Sequence, residues 1–312
     1  MKIMFMGTPE FAVPSLDILV KNKYNVCAVV TAPDKKKGRG QKVSYPAVKI
    51  YSEGKIPVIL QPDNLSDKEF VGSVKSLNPD LIIVVAFRIL PEEVFSVPGL
   101  GSFNLHASLL PEFRGAAPIN HALIEGKNIT GVTTFFLRKK VDTGNIRLQK
   151  KVPVSEDDNA GTLHDKLSIA GAECVLETVK LIESGNVQTF AQEDIKATPA
   201  PKIFRENCII NWNYDSLRIH NLIRGLSPLP GAFTHFNNKI LKIYKSRLTD
   251  LKSNDSPGKL SFEDNRLFVC CTDFKLEVIE LQSEGRNRIT ASDFINFLKS
   301  IKKSEDYLYQ LI

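Results

Sequence analysis

The densest group of reactive side chains is Phe103-Asn104-Leu105-His106-Ala107-Ser108-Leu109-Leu110-Pro111. If this run is a strand, alternation puts Asn104, His106 and Ser108 on one face. An amide and an imidazole aimed the same way could donate hydrogen bonds to an oxygen that gains charge during acyl transfer. A lone histidine is as readily a satisfied structural side chain; its polar neighbours make this one a candidate. Val141-Asp142-Thr143-Gly144 supplies a carboxylate in a tight turn. Such a group could orient an imidazole or raise its basicity, although Asp-x-Gly by itself marks only a turn. Arg114-Gly115-Ala116-Ala117-Pro118 places an arginine just ahead of a helix start, where anions bind well, or where it could simply cap backbone carbonyls. Asp34-Lys35-Lys36-Lys37-Gly38-Arg39-Gly40-Gln41-Lys42 holds five Lys or Arg in nine residues. A basic, glycine-punctuated loop suits a phosphate backbone, while solvation alone would also account for it.

Other chemistries lack their residues. The first strand ends in Gly7-Thr8-Pro9-Glu10, without the further glycines of a dinucleotide fingerprint, and Gly38-Arg39-Gly40 is no Walker loop. There is no Gly-x-Ser-x-Gly elbow and no His-Glu-x-x-His, which disfavours hydrolase and zinc-protease readings. His121, His164 and His220 read as ordinary helix residues. Five cysteines without a Cys-x-x-Cys, Cys270 and Cys271 being adjacent, argue for a reducing compartment with no structural disulfide and no metal. No signal peptide or membrane-spanning run is evident, so a cytoplasmic protein without a membrane partner is expected. The 41 Lys and Arg against 35 Asp and Glu give +6, a mild bias toward acidic partners.

The elements that must position these groups follow from periodicity. Lys2–Met6, Val26–Thr31, Pro57–Leu60 and Leu81–Ala86 read as strands, and Ser15–Lys21, Ala47–Ser52 and Lys68–Leu77 as helices. That alternation predicts an α/β domain with a doubly wound, mainly parallel sheet, whose ligands gather at the carboxyl ends of the strands. Leu81-Ile82-Ile83-Val84-Val85 is apolar on both faces, as helix cover on both sides requires. The pattern continues through a strand at Ser102–Leu105, a helix at Ala117–Glu125, strands at Gly131–Leu137 and Ile146–Val154, and a helix at Leu163–Glu183.

With 312 residues, 43% of them hydrophobic and 24% charged, two unequal domains are expected. The first spans 1–186. Residues 187–204, with Pro199 and Pro201 and no period, read as a linker. In the second domain, 205–312, a helix at Ser216–Arg224 precedes short strands at Ala232–Phe236, Ile240–Tyr244, Lys259–Ser261, Leu267–Cys271 and Lys275–Leu281. Turn signals stand at Asn237-Asn238 and Ser256-Pro257-Gly258, and the series suggests a small antiparallel β-barrel. Arg218, Arg224, Lys239, Lys242, Lys245 and Arg247 fall in a stretch without one acidic residue.

Asn104-Leu105-His106-Ala107-Ser108-Leu109-Leu110-Pro111, with Arg114-Gly115-Ala116-Ala117-Pro118 and Val141-Asp142-Thr143-Gly144, closely resembles the methionyl-tRNA formyltransferase family. Further landmarks fall in family order over nearly the whole chain. They are Gly7-Thr8-Pro9-Glu10-Phe11-Ala12, Pro33-Asp34 with Gly38-Arg39-Gly40, Gly161-Thr162-Leu163, and Ile219-His220-Asn221-Leu222-Ile223-Arg224-Gly225. The resemblance implies an N-terminal formyltransferase domain that binds 10-formyltetrahydrofolate as co-substrate, with no metal. It implies an oligonucleotide-binding-like C-terminal barrel that helps hold initiator methionyl-tRNA, in a monomer. Asn104, His106 and Asp142 would be catalytic. Folate would lie against Ser108, Leu109, Leu110 and Pro111 and along Phe87, Arg88, Ile89 and Leu90. Lys35, Lys36, Lys37, Arg39, Lys42, Arg114, Arg224, Lys242 and Lys245 would meet the tRNA.

Three departures stand against the family pattern. Ala86-Phe87-Arg88-Ile89-Leu90-Pro91 is one residue shorter than the usual loop and lacks its glycine. Asn211 precedes Trp212 where Asp is usual, and Leu229 stands where Trp is common. Two rival readings remain: formylation of an amino sugar nucleotide, which would leave the basic loop without an acidic partner of suitable size, and a noncatalytic RNA-binding protein on the same fold.

Overall fold

The computed structural model describes residues 1–37, 42–186, 188–301, 310 and 311. Its contacts divide the chain into two compact units. The first comprises Met1–Pro118, Ile129–Pro153 and His164–Ala200; the second comprises Ile119–Asn128, Val154–Leu163 and Pro201–Ile312.

The first unit is built on seven strands: β1 Lys2–Gly7, β2 Asn25–Val30, β3 Ile59–Leu60, β4 Leu81–Val85, β5 Ser102–His106, β6 Ile129–Phe136 and β7 Ile146–Pro153. Their order across the sheet is β7-β6-β5-β4-β1-β2-β3. The first five strands in sequence pair in parallel, as expected, while β6 pairs antiparallel with β5 and β7 antiparallel with β6. All five residues of β4 are buried, which its uninterrupted apolar run demands of a strand covered on both faces. Helices Val13–Lys21 and Lys68–Leu77 connect the parallel strands, the second capped by the Asp67 side chain, which accepts from the Glu69 amide. Strand order reverses between β1 and β4, so the crevice outside their carboxyl ends, at Gly7 and Ala86, is where this topology holds ligands. Gly7 is required by close approach: a Cβ there would lie 2.8 Å from that of Ala12 and 3.0 Å from the Val85 carbonyl.

The segment expected as a linker is hydrogen-bonded into this unit along much of its length. Phe190 exchanges both backbone bonds with Ile146, and Pro199–Ala200 pairs in parallel with Arg114–Gly115. Isolated bridges and a two-residue pairing need no side-chain period, and that is why no pattern announced them.

The second unit carries an antiparallel sheet in the order Ala232–Phe236, Lys239–Arg247, Lys275–Ser283, Arg266–Cys270, Leu260–Glu263, with Ile289–Thr290 added beside Lys275–Ser283. Asn237 and Asn238 both take positive φ, 49° and 60°, as a tight hairpin turn requires. No ladder joins the outer strands Ala232–Phe236 and Leu260–Glu263 among the described residues, so the expected barrel is seen as an antiparallel sheet. Helix Ser216–Leu226, capped by Asp215, and a helix missed in the sequence, Ala291–Ile301, complete the unit. Ala291, Phe294, Ile295 and Leu298 of the latter join a core with Trp212, Ile223, Val269 and Leu276. All five cysteines are buried and unpaired. No described helix is long and apolar enough to cross a membrane.

Candidate active site

His106 closes β5 and is 6% exposed. Its Nε2 lies 2.8 Å from the Phe113 carbonyl oxygen. A carbonyl can only accept, so Nε2 carries the proton, and in the neutral ring the lone pair sits on Nδ1. Nδ1 faces Asp142 Oδ2 at 3.9 Å, too long for a direct hydrogen bond and close enough for a strong field. Asn104, two residues earlier on β5, is partly exposed, and its side-chain amide makes no hydrogen bond among the described residues. Alternation places Asn104 and His106 on one face, as the sequence predicts.

The carboxylate reaches the imidazole because its loop is tightly held. Asp142 adopts φ +53°, a left-handed conformation uncommon for a side chain other than glycine. The Gly115 amide donates to its Oδ2 at 3.0 Å, and the Gln192 side-chain amide donates to the carbonyls of Asp142 and Gly144 at 2.9 and 2.8 Å. Gly144 is obligatory, since a Cβ there would come within 1.6 Å of the Phe136 carbonyl oxygen. Phe113, whose carbonyl fixes His106, is also left-handed (φ +60°), and the Thr198 hydroxyl accepts from its amide.

Ser108 lies beyond the strand end, fully buried, and its hydroxyl donates to the Glu112 carbonyl. It therefore fastens the turn and is not the third member of a polar face. The Thr133 hydroxyl donates to the Ser108 carbonyl at 2.6 Å and accepts from the Leu110 amide at 3.1 Å. Gln149 Nε2 donates to the Leu110 carbonyl and to Thr133, so the Ser108–Pro111 turn is stitched to β6 and β7. Leu109 packs over Gly131, where a Cβ would meet its methyl group at 2.6 Å.

After β4 the chain turns at Ala86, with φ +48°, a conformation glycine would take without strain. Arg88 then anchors the short loop, its two terminal nitrogens donating to the carbonyls of Pro62 and Asp63 at 2.6 and 2.8 Å. Leu90 is buried and Ile89 is exposed. Arg88, Ile89, Leu90 and Pro91 form one wall of a cleft of about 460 Å³, with Asp63, Asn64, Leu65 and Ser66 opposite. Phe87 is half-buried and packs against the core cluster that includes Leu90.

Lys35–Lys37 and Lys42–Ser44 form an antiparallel ribbon. Asp34, at its base, takes Lys49 Nζ at 2.6 Å and Gln61 Nε2 at 2.8 Å, and these bonds hold its carboxyl below the usual range. Lys35 is exposed. Arg39, and the side chains of Lys36, Lys37 and Lys42, lie outside the described residues.

Arg114 is bonded within its own unit. Its Nε and Nη2 donate to Gln192 Oε1, and Nη2 also meets Asp194, whose carboxyl it pulls down. In the second unit Arg224 donates to Asn221 Oδ1 and the Ser155 carbonyl, burial lowering its pKa, and Lys242 donates to the Pro230 carbonyl. Lys245 is exposed, with Glu280 its register partner on the neighbouring strand. Sequence reasoning missed Gln192, Thr133, Gln149 and Phe113, none of which belongs to a local pattern. Among the described residues no group of three or more His, Cys, Asp or Glu could hold a metal.

Residues 1–179 match the family model described as formyl transferase, and residues 202–299 match that of the formyl transferase C-terminal domain. A methionyl-tRNA formyltransferase of Caldanaerobacter subterraneus subsp. tengcongensis is 45% identical over 297 residues, which cover 95% of this chain and 96% of that one. The fold is similar to that of HypX from Aquifex aeolicus in complex with tetrahydrofolic acid, with TM-score 0.66, 16% identity, and coverage of 98% of this chain and 48% of that one. It is also similar to an N-formyltransferase from Helicobacter canadensis in complex with folinic acid and dTDP-3-aminofucose, with TM-score 0.64, 22% identity, and coverage of 91% and 99%.

Proposed function

We infer the function from the premise that this chain belongs to the methionyl-tRNA formyltransferase family. It transfers the formyl group of 10-formyltetrahydrofolate to the amino group of methionyl initiator tRNA. Residues 1–186 carry the folate and the chemistry, 205–312 help hold the tRNA, and 187–204 join them in sequence. The observation that carries the catalytic assignment is the approach of His106 Nδ1 to Asp142 at 3.9 Å, with Asn104 on the same strand face.

Formyl transfer makes a bond from the methionyl nitrogen to the formyl carbon and breaks the bond from that carbon to N10 of the folate. Charge develops on the formyl oxygen, the amine must lose a proton, and N10 must gain one. Asn104 is the standing donor to the oxygen, because its amide has no competing partner among the described residues. His106 Nδ1, which carries the lone pair when the ring is neutral and Nε2 donates to Phe113, accepts the amine proton and returns it to N10. Once protonated, Nδ1 also donates toward the oxyanion. Asp142 stabilises that imidazolium across 3.9 Å without taking the proton itself.

The Phe87–Leu90 loop follows β4 and the Ser108–Pro111 turn follows β5, at the carboxyl ends of neighbouring strands, and together they form the folate slot in this reading. In the first unit Lys35, Lys36, Lys37, Arg39 and Lys42 carry phosphate contacts, with Arg114 engaged by Gln192 and Asp194. In the second unit Lys245 carries one, and Arg224 and Lys242 have their charges partly engaged.

The test supplies the enzyme with 10-formyltetrahydrofolate and either charged initiator tRNA or an amino sugar nucleotide, and reads the formylated product by mass. Formylmethionyl-tRNA alone supports the reading, and a formylated sugar alone refutes it. Folate-independent tRNA binding with neither product would establish the noncatalytic alternative.

A further inference from the structure

Gln192 lies in a segment without sequence pattern, yet its side chain joins the two loops that make the catalytic pair. Its amide nitrogen donates to the carbonyls of Asp142 and Gly144 at 2.9 and 2.8 Å. Its amide oxygen accepts from Nε and Nη2 of Arg114 at 3.0 and 2.7 Å. The carbonyls can only accept and the guanidinium can only donate, so the amide orientation is fixed by its partners. Arg114 stands between Phe113, whose carbonyl receives His106 Nε2, and Gly115, whose amide donates to Asp142 Oδ2. One neutral side chain thus ties the loop bearing the carboxylate to the turn that fixes the imidazole. Asp142 holds a left-handed backbone that persists only where surrounding contacts impose it, and Gln192 supplies two of those contacts.

We propose that Gln192 is a positioning residue for formyl transfer, setting the distance from Asp142 to His106 while touching neither substrate. The proposal rests on the functional reading above. It explains the residue type. Glutamate would turn acceptors toward two carbonyls, lysine would face the Arg114 guanidinium with a like charge, and a shorter asparagine would not span both loops. It also explains the commitment of Arg114, whose bonds to Gln192 and Asp194 hold the Phe113–Gly115 turn in place.

The test combines kinetics with amide hydrogen exchange on Gln192→Leu and Gln192→Glu, the second keeping an acceptor for Arg114 and losing only the two donors. Melting temperatures select variants that remain folded. The expected result is faster exchange at the Gly115 amide and at residues 142–145, and a fall in kcat on the order of 10²-fold with KM values for folate and tRNA nearly unchanged. In an Asp142→Asn background the same substitution should cost little further rate, because its effect passes through Asp142. Glu193→Gln, next in sequence and exposed, should leave kcat as it is. Equal losses in both backgrounds, or unchanged exchange at Gly115, would overturn the proposal. If the wild type formylates no tRNA, the functional reading falls, and the exchange result still decides whether Gln192 holds the Asp142 loop.

Discussion

His106 divides its two nitrogens between structure and chemistry. The Phe113 carbonyl accepts the hydrogen bond of Nε2–H, which leaves Nδ1 to exchange a proton, and Nδ1 faces Asp142. Asn104→Ala should therefore lower kcat by about 10²- to 10³-fold while leaving the affinities for folate and tRNA close to wild type, measured by steady-state kinetics and equilibrium binding. A loss confined to KM would place Asn104 in ground-state binding instead. The shared face of Asn104 and His106 and the turn at Asp142 were legible because strand alternation and an Asp-x-Gly turn are local signals. Ser108 was misplaced on that face because the strand stops at His106 and the chain turns before it. The bonds of Gln192 and Arg114 run across 78 residues of sequence, beyond the reach of any local spacing.

Among the elements, the loop from β6 to β7 has no room at Gly144, whereas helix Lys68–Leu77 has open space at Gly72. Gly144→Ala would drive a Cβ into the Phe136 carbonyl and should cost about 2 kcal/mol or more of stability, with activity lost as the Asp142 loop shifts. Gly72 sits inside helix Lys68–Leu77, and a Cβ added there would meet nothing within 4 Å, so Gly72→Ala should raise stability by up to about 1 kcal/mol. Chemical denaturation of both variants checks the pair, and equal effects would refute the packing argument. In helix Ser216–Leu226, burial and then the Arg224 charge pull the His220 imidazole down from 6.5 to about 4. The unfolded chain takes up that proton near 6.5, whereas the folded chain refuses it until about 4, so stability falls as pH drops through this window. His220→Asn should flatten this fall in thermal melts, and parallel profiles would contradict it. Helix boundaries such as Lys68–Leu77 were legible from period and cap, whereas Ala291–Ile301 was overlooked amid short strands. The antiparallel setting of β6 and β7 was hidden because alternation is the same in either direction.

Over the whole molecule, the net charge of +6 favours a polyanionic substrate, and its weight should appear as salt dependence. The KM for tRNA should rise steeply with ionic strength while the KM for folate changes little. Arg39→Ala should raise the former and reduce its salt slope by about one counterion. Two-domain order was legible in the switch from βα alternation to short strands, while the mixing of segments between the compact units was not, since contacts carry it and composition does not. The proposed mechanism turns, in the end, on proton transfer at His106. That step is tested by a single-turnover measurement of formyl transfer from 10-formyltetrahydrofolate to charged initiator tRNA, comparing wild type with His106→Ala at saturating concentrations of both substrates. The expected rate for the variant is lower by about 10²- to 10⁴-fold with both substrates still bound. Transfer by His106→Ala at the wild-type rate would contradict a proton-transfer role for this imidazole.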